Sequence, residues 1–447
     1  MRIDPELAAS LVRSALKKGA DLAEVYVKRS RSLRAEVKEA RVSAVENSEE
    51  FGYSLRVIRN NRLGFSYSND PAEADKVAGW AMDSLAFTKE DAFLDLPSPE
   101  EGGHYPVLDT FDPAIDSMDA ERAVSYAKEI EKAAFDSDRR VNRTRKSSAA
   151  FSSYEVSFLN SKGISFGYEA TSASASISAV ADEKGDSQVG WGYEGGRFLS
   201  GIDFGKAGRD AARRACSMLG ATRAKPLKAS LIIENSVAVD FLSVAAAMMS
   251  ADNVQKGKSL LEGREGRQIL SKLVNITDNP LAAGSPALRP MDGEGLSCRK
   301  NVFVSEGVLL GFMHNTYTAR KAGTRSTGNA SRGGAHSLPG VGALSMIIEP
   351  ASGTVSVESM VRSVDMGMIV TDAMGVHTIN PVSGEFSIGV SGISVRGGKP
   401  DGPVKEAVIS GNILELLGSI AAVGDDLKYF GSMGSPSLLV PEVDLSA

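Results

Sequence analysis

The side chains that could do chemistry are few and widely separated. The four histidines, His104, His314, His336 and His377, never fall within one helical turn of each other, and Cys216 and Cys298 lie far apart. That spacing excludes a local histidine-rich metal motif, a CxxC zinc site and a disulfide framework. Three acids sit among glycines, Asp292 and Glu294 in MDGEGL and Glu385 in SGEFS. Catalytic and metal-binding carboxylates occupy such settings, and so do ordinary turn acids. TRSTGNASRGG, residues 324–334, is the best local candidate for a binding loop. Its glycines expose backbone N–H groups, and Ser326, Thr327, Gly328 and Asn329 present a compact polar edge to a peptide or an anion. It lacks the Gly-Lys-Ser/Thr ending of a P-loop. Ser326 or Ser331 with His336 would supply a nucleophile and a base, but no elbow or orienting acid accompanies them.

Two motif matches fail on context. Gly190, Gly192 and Gly195 fit GxGxxG, yet Trp191 and Tyr193 occupy the turn and the next helix begins some ten residues later. A dinucleotide fingerprint needs a strand before it and a helix directly after. Gly163-Ile-Ser165-Phe-Gly167 fits GxSxG, but the residues that follow continue as strand, so Ser165 is an ordinary strand or turn position. TSASASISAVA alternates strictly, with Ser172, Ser174, Ser176 and Ser178 on one face and Ala173, Ala175, Ile177 and Ala179 on the other. That reads as a half-buried strand with a solvated serine face; a substrate-lining strand is the sharper alternative. DFLSVAAAMMSADN, residues 240–253, reads as a helix with no titratable group between Asp240 and Asp252.

The elements that position these residues follow from periodicity. Asp4 and Pro5 start a helix over about 5–18, with Leu7, Leu11, Val12 and Ala15 at helical spacing. Alternating stretches follow, the last turning at Asn60-Asn61, and Asp70-Pro71-Ala72-Glu73 predicts a capping box opening a helix to about 88. Residues 93–113 are rich in Pro, Gly and acids and read as a linker, placing a boundary near 110. Beyond it the order helix, strands, helix recurs to about 219, which suggests a duplicated unit. From Pro226 the chain turns Gly-rich, with short strands and helices near 316–323, 356–364 and 412–423. The expected architecture is α+β: units at 1–110 and 111–225, then a larger β-dominated domain at 226–447.

Composition narrows the function classes. The chain has 447 residues, enough for two or three domains. A formal charge of −6 gives no basic face for nucleic acid. No run approaches the roughly 18 apolar residues of a membrane span, and the start has no secretory h-region. A cytoplasmic protein with reduced thiols is expected.

The landmarks AEVYV, VENSEEFGYSLRVI, MDGEGL, SEGVLLGFMHNTYTARKAG, STGNASRG, GEFSIGVSG and GSPSLLVP, in this order, resemble the TldD/TldE family, whose TldE members are also called PmbA and were described as modulators of DNA gyrase. STGNASRG after YTARKAG points to the TldE/PmbA branch. The resemblance implies a heteromeric metallopeptidase that processes or degrades peptides, with zinc held only by TldD through HExxxH and a C-terminal cysteine. Counting back from KGKS, Leu242, Ser243 and Ala247 stand at the His, Glu and His positions, and GDDLKYFGSMGSPSLLV holds neither Cys nor His. The resemblance therefore implies a chain without catalytic residues, cofactor or metal of its own. Its expected partners are a TldD-type, zinc-bearing catalytic subunit and a peptide, with a homodimer left open where that subunit is missing. Asp292, Glu294, Ser326, Thr327, Gly328 and Asn329 are its expected chamber-lining residues. A self-sufficient hydrolase with a non-zinc site in the Gly-rich region, or a homomeric peptide-binding scaffold, is the alternative.

Overall fold

The structure is a computed structural model that describes residues 3–446. Its first helix, α1 (Pro5–Lys17), starts where the sequence predicts: the Asp4 carboxylate accepts from Glu6 N at 2.9 Å and Pro5 occupies the first turn. Three strands follow, β1 (Leu22–Lys38), β2 (Arg41–Arg59) and β3 (Arg62–Ser68). Asn60 and Asn61 both have positive φ, 50° and 57°, as a tight hairpin turn between right-twisted strands requires. The second helix departs from expectation. Asp70 caps a 3-10 turn (Pro71–Glu73) that leads into α2 (Ala74–Ser84), and Glu73 accepts from Ser68 Oγ at 2.8 Å, so the capping box does not form.

The same order repeats in α3 (Ala120–Ser137), β4 (Val141–Asn160), β5 (Ser165–Glu183), β6 (Asp186–Gly196) and α4 (Phe204–Ser217). The six strands make one antiparallel sheet in the order β3-β2-β1-β4-β5-β6. β1 and β4 pair over their length, from Glu24 opposite Asn160 to Val37 opposite Ser147, so the sheet runs unbroken across the residue-110 boundary. All four helices cover one face, where Val25, Val27, Tyr53 and Leu55 meet α1 and α2, and Ala149, Phe151, Ala175 and Ile177 meet α3 and α4. Missing side chains set the helix-to-sheet distance. A Cβ on Gly64 would lie 2.1 Å from the Ala81 carbonyl oxygen, and one on Gly192 would lie 1.9 Å from that of Ala207. Gly190 and Gly192 of GWGYEG thus serve close packing of α4 on β6, and Ser165 begins a strand.

Residues 93–113 form a strap. Asp95 takes salt bridges from Arg320 (2.7 Å) and Lys162 (2.5 Å), Tyr317 donates to Asp91 at 2.8 Å, and Tyr105 donates to the Gly295 carbonyl at 2.6 Å.

After residue 226 come strands β7 (Leu227–Ile233), β8 (Met366–Met374), β9 (Glu385–Arg396), β10 (Lys399–Asn412) and β11 (Leu438–Ser446), which pair in the order β11-β7-β8-β9-β10, and β10 also pairs with β11. The ring therefore closes on itself and removes the exposed edges of these five strands. Beside it lies a six-stranded sheet that includes Val274–Asp278, Met346–Pro350 and the terminal hairpin Lys428–Phe430/Met433–Ser435. The largest apolar cluster fills the space between ring and sheet. Predicted helices near 316, 356 and 412 are present but short, as Thr316–Lys321, Val357–Ser363 and Ile413–Gly418. No helix among the described residues is long and apolar enough to cross a membrane.

Candidate functional site

The stretch DFLSVAAAMMSADN lies mostly in α5 (Asn235–Met248). Its helix-forming Ala, Leu and Met residues are set by apolar contact, with the Phe241 ring 6.2 Å from that of Phe386. The first turn is fixed from outside: Arg214 pairs with Glu234 at 2.7 Å, and Asn235 Nδ2 donates to the Asp426 carbonyl at 3.0 Å. At the other end Asn253 Nδ2 donates to the Ala247 carbonyl at 2.7 Å, satisfying one of the last free acceptors.

The three positions singled out by the resemblance do not share a face. Leu242 is wholly buried in the core, whereas Ser243 and Ala247 are exposed and line a groove of ≈ 400 Å³ with Asp240 and Val244. Spacings of three and four residues put these groove residues in one row. Ala373, Val376, His377, Ile379 and Pro381 form the opposite wall. Ser243 folds its hydroxyl back onto the Val239 carbonyl at 2.9 Å. Desolvation and then the Asp372 charge push the Asp240 carboxyl above its ordinary range. An aliphatic side chain facing the core, a hydroxyl turned onto its own helix and a methyl group offer no ligand set for zinc. Among the described residues no three His, Cys, Asp or Glu side chains gather as metal ligands would. Nothing in the sequence joins Asp240 to Asp372 or His377, because the groove's far wall comes more than 120 residues later in the chain.

Asp292 and Glu294, expected on a chamber wall, lie instead in the interior. They are 3% and 0% exposed, at the junction between the six-stranded N-terminal sheet and the C-terminal region. Asp292 accepts from the backbone N–H groups of Glu294 and Leu296 at 2.9 Å and of Ala330 at 3.0 Å. Desolvation, reinforced by Glu294, pushes the Asp292 carboxyl up to about 7. Glu294 accepts from Arg56 at 3.1 Å and from Thr316 N at 2.8 Å. Arg56 also pairs with Glu24, which in turn pairs with Arg332. Arg332 donates to the Gly293 carbonyl at 2.6 Å and stacks 4.8 Å from the Tyr26 ring centroid. Four alternating charges and a glycine turn therefore pin the two parts of the chain together. Glycine neighbours signalled a turn in the sequence; only the tertiary fold brings Arg56 of β2 and Arg332 of the glycine loop to it.

The glycine loop is likewise braced. Asn329 is buried and donates to Asp278, whose carboxylate also accepts from Leu344 N and Ser345 N. Thr327 Oγ1 accepts from His314 N at 2.7 Å, and Ser326 Oγ donates to the His314 carbonyl at 3.1 Å. Ser326 and Thr327 remain half-buried, whereas Gly328 is buried. His336 packs 6.2 Å from the Tyr67 ring, and among the described residues no hydrogen bond joins it to Ser326, whose hydroxyl is turned to His314, or to Ser331. Cys298 is buried, and burial pushes its thiol well above the ordinary range.

Similar proteins share this fold along the whole chain. The first, central and C-terminal domain models of the PmbA/TldA metallopeptidases match residues 23–85, 113–219 and 226–447. The metalloprotease PmbA of Escherichia coli O157:H7 is 29% identical over 434 residues, covering 95% of this chain and 92% of that protein. A Thermotoga maritima protein, described as a candidate modulator of a DNA gyrase, superposes with a TM-score of 0.90 at 25% identity over 99% of both chains. TldE from Thermococcus kodakarensis does so with a TM-score of 0.89 at 23% identity, over 99% of this chain and 100% of that one. With three consecutive domain models in register along it, the chain belongs to the PmbA/TldD family of metallopeptidases.

Proposed function

We propose that this chain is the noncatalytic, TldE/PmbA-like subunit of a cytoplasmic, heteromeric peptidase, and that it pairs with a TldD-type chain that carries the zinc. The observation that supports this reading is the groove face of α5. The family resemblance places a metal motif at Leu242, Ser243 and Ala247, where the side chains are a core leucine, a back-bonded serine and a methyl group. The chain then contributes a wall of the substrate chamber, with the Asp240–Ala247 row and the half-buried Ser326 and Thr327 as its accessible parts. Peptide is held by shape and backbone contact, as on other surfaces that read extended chains.

Assaying this chain alone, a TldD-type chain carrying HExxxH alone, and their mixture, with and without zinc, tests the proposal. Cleavage of an unfolded peptide by the mixture in zinc, with this chain alone inert, is the expected result. Cleavage by this chain alone in the presence of a chelator overturns it and favours a self-sufficient hydrolase.

A further inference from the structure

The side chains of GWGYEG and TSASASISAVA that turn away from the helices come together at one cavity. In β6 Gly190 and Gly192 face α4, so Trp191 and Tyr193, two residues apart, share the other face of the strand. Ser178 and Ser176 of β5 stand directly opposite them in register. These four side chains, with Lys146 of β4, line a cavity of ≈ 420 Å³ that Phe430 and Gly431 of the terminal hairpin complete from the C-terminal region. The Phe430 ring lies 6.1 Å from Trp191 at 69° and 5.9 Å from Tyr193 at 30°. The volume falls within the roughly 300–1,000 Å³ of small-ligand sites.

The charges around the cavity select its occupant. An aromatic box takes a cation when its ring faces are free. Here the Arg214 guanidinium already lies 4.4 Å from the Trp191 centroid, and Lys428 Nζ lies 5.4 Å from that of Phe430. Lys146, on the wall, is paired with Glu36, and Lys428 with Glu194. A cationic guest would meet three positive groups whose countercharges are committed. A neutral ring gains offset and edge contacts with the three aromatic residues, and its flanking amides meet the serine hydroxyls. Arg214 also donates to the Thr371 carbonyl at 3.1 Å and pairs with Glu234 before α5, so the cavity lies one side chain away from the start of that helix.

We propose that this cavity binds an aromatic residue of an extended peptide, its ring against Trp191, Tyr193 and Phe430 and its backbone toward Ser176 and Ser178. This rests on the reading that the chain handles peptides, and adds a preference for an aromatic anchor.

Titration calorimetry on the purified full chain tests it, using a capped, uncharged hexapeptide with a central Phe, the same peptide with Ala or Lys there, and N-acetylphenylalanine amide. Saturable binding of the Phe peptide, at least tenfold tighter than the Ala and Lys peptides, is expected. Ser176→Phe, which fills the cavity from an accessible strand face, and Phe430→Ala should each weaken it at least tenfold, with melting curves confirming that both variants fold. Equal affinity for Phe and Ala peptides, or no effect of both folded variants, overturns the proposal. Binding of the capped amino acid with exclusion of the Phe peptide overturns the peptide assignment in favour of a small aromatic ligand. No second chain and no cleavage enter this measurement, so its failure leaves the pairing proposal standing. Inactivity of the mixed chains alongside intact Phe-peptide binding rejects the pairing alone.

Discussion

Arg56 directs both terminal guanidinium nitrogens at one oxygen of Glu294, each at 3.1 Å, across 238 residues of sequence. Both side chains are buried, and the row continues through Glu24 of β1 to Arg332 of the glycine loop. The pair ties MDGEGL directly to β2.

Removing one partner of such a pair leaves an uncompensated buried charge, a loss of about 3–5 kcal/mol. Arg56→Ala should therefore destabilise strongly, with Glu24 and Glu294 left facing each other. Adding Glu294→Gln to Arg56→Ala should recover part of the loss, because the second buried charge is removed. Denaturant titration of the two variants checks this; a double variant no more stable than Arg56→Ala contradicts the assignment.

Asp292 makes stability depend on pH in a direction opposite to ordinary salt-bridged acids. Its folded-state pKa, about 7, lies above the roughly 3.9 of an unfolded aspartate, so the folded state holds the proton more tightly. The resulting stabilisation is complete below about pH 4 and lost as pH rises through 7, by at most about 4 kcal/mol at 1.36 kcal/mol per pH unit. Asp292→Asn cannot titrate. Whatever its constant cost, its unfolding free energy relative to the parent should climb between pH 4 and 7, as seen in denaturant titrations across that range. A flat difference contradicts the shift.

Gly192→Ala tests why GWGYEG carries its glycines. The new methyl group would collide with the Ala207 backbone oxygen, which cannot rotate away, so α4 must lift from β6. Overpacking of this kind typically costs about 1–3 kcal/mol. A lowered melting temperature is expected for Gly192→Ala, against little change for Gly201→Ala, whose site has open space around it.

Asp278→Ala should loosen the glycine loop locally. Its carboxylate receives Asn329 and the Leu344 and Ser345 amides, and nothing replaces it. Hydrogen exchange at residues 329–345 should quicken well beyond that of α3, which none of these bonds touches.

Much of this was written locally. The Asp4 cap, the Asn60-Asn61 turn, the alternation in TSASASISAVA and the repeated helix–strands–helix order are properties of short segments, set by backbone preference and periodicity, and they appear where the residues predict them. The α+β class followed from these. What lay beyond reach was everything that depends on which segments meet. The two repeats join through β1 and β4 into one sheet, and the region read as a linker is a strap held by Asp91, Asp95 and Tyr105. Asp292 and Glu294 looked like accessible turn acids because a glycine-rich turn is normally solvated; their burial depends on Arg56 and on Ala330 N–H, supplied by distant strands and loops. Ser243 and Ala247 face a groove while Leu242 faces the core because the packing of α5 fixes its rotation, which helical periodicity in an almost wholly apolar segment leaves undetermined.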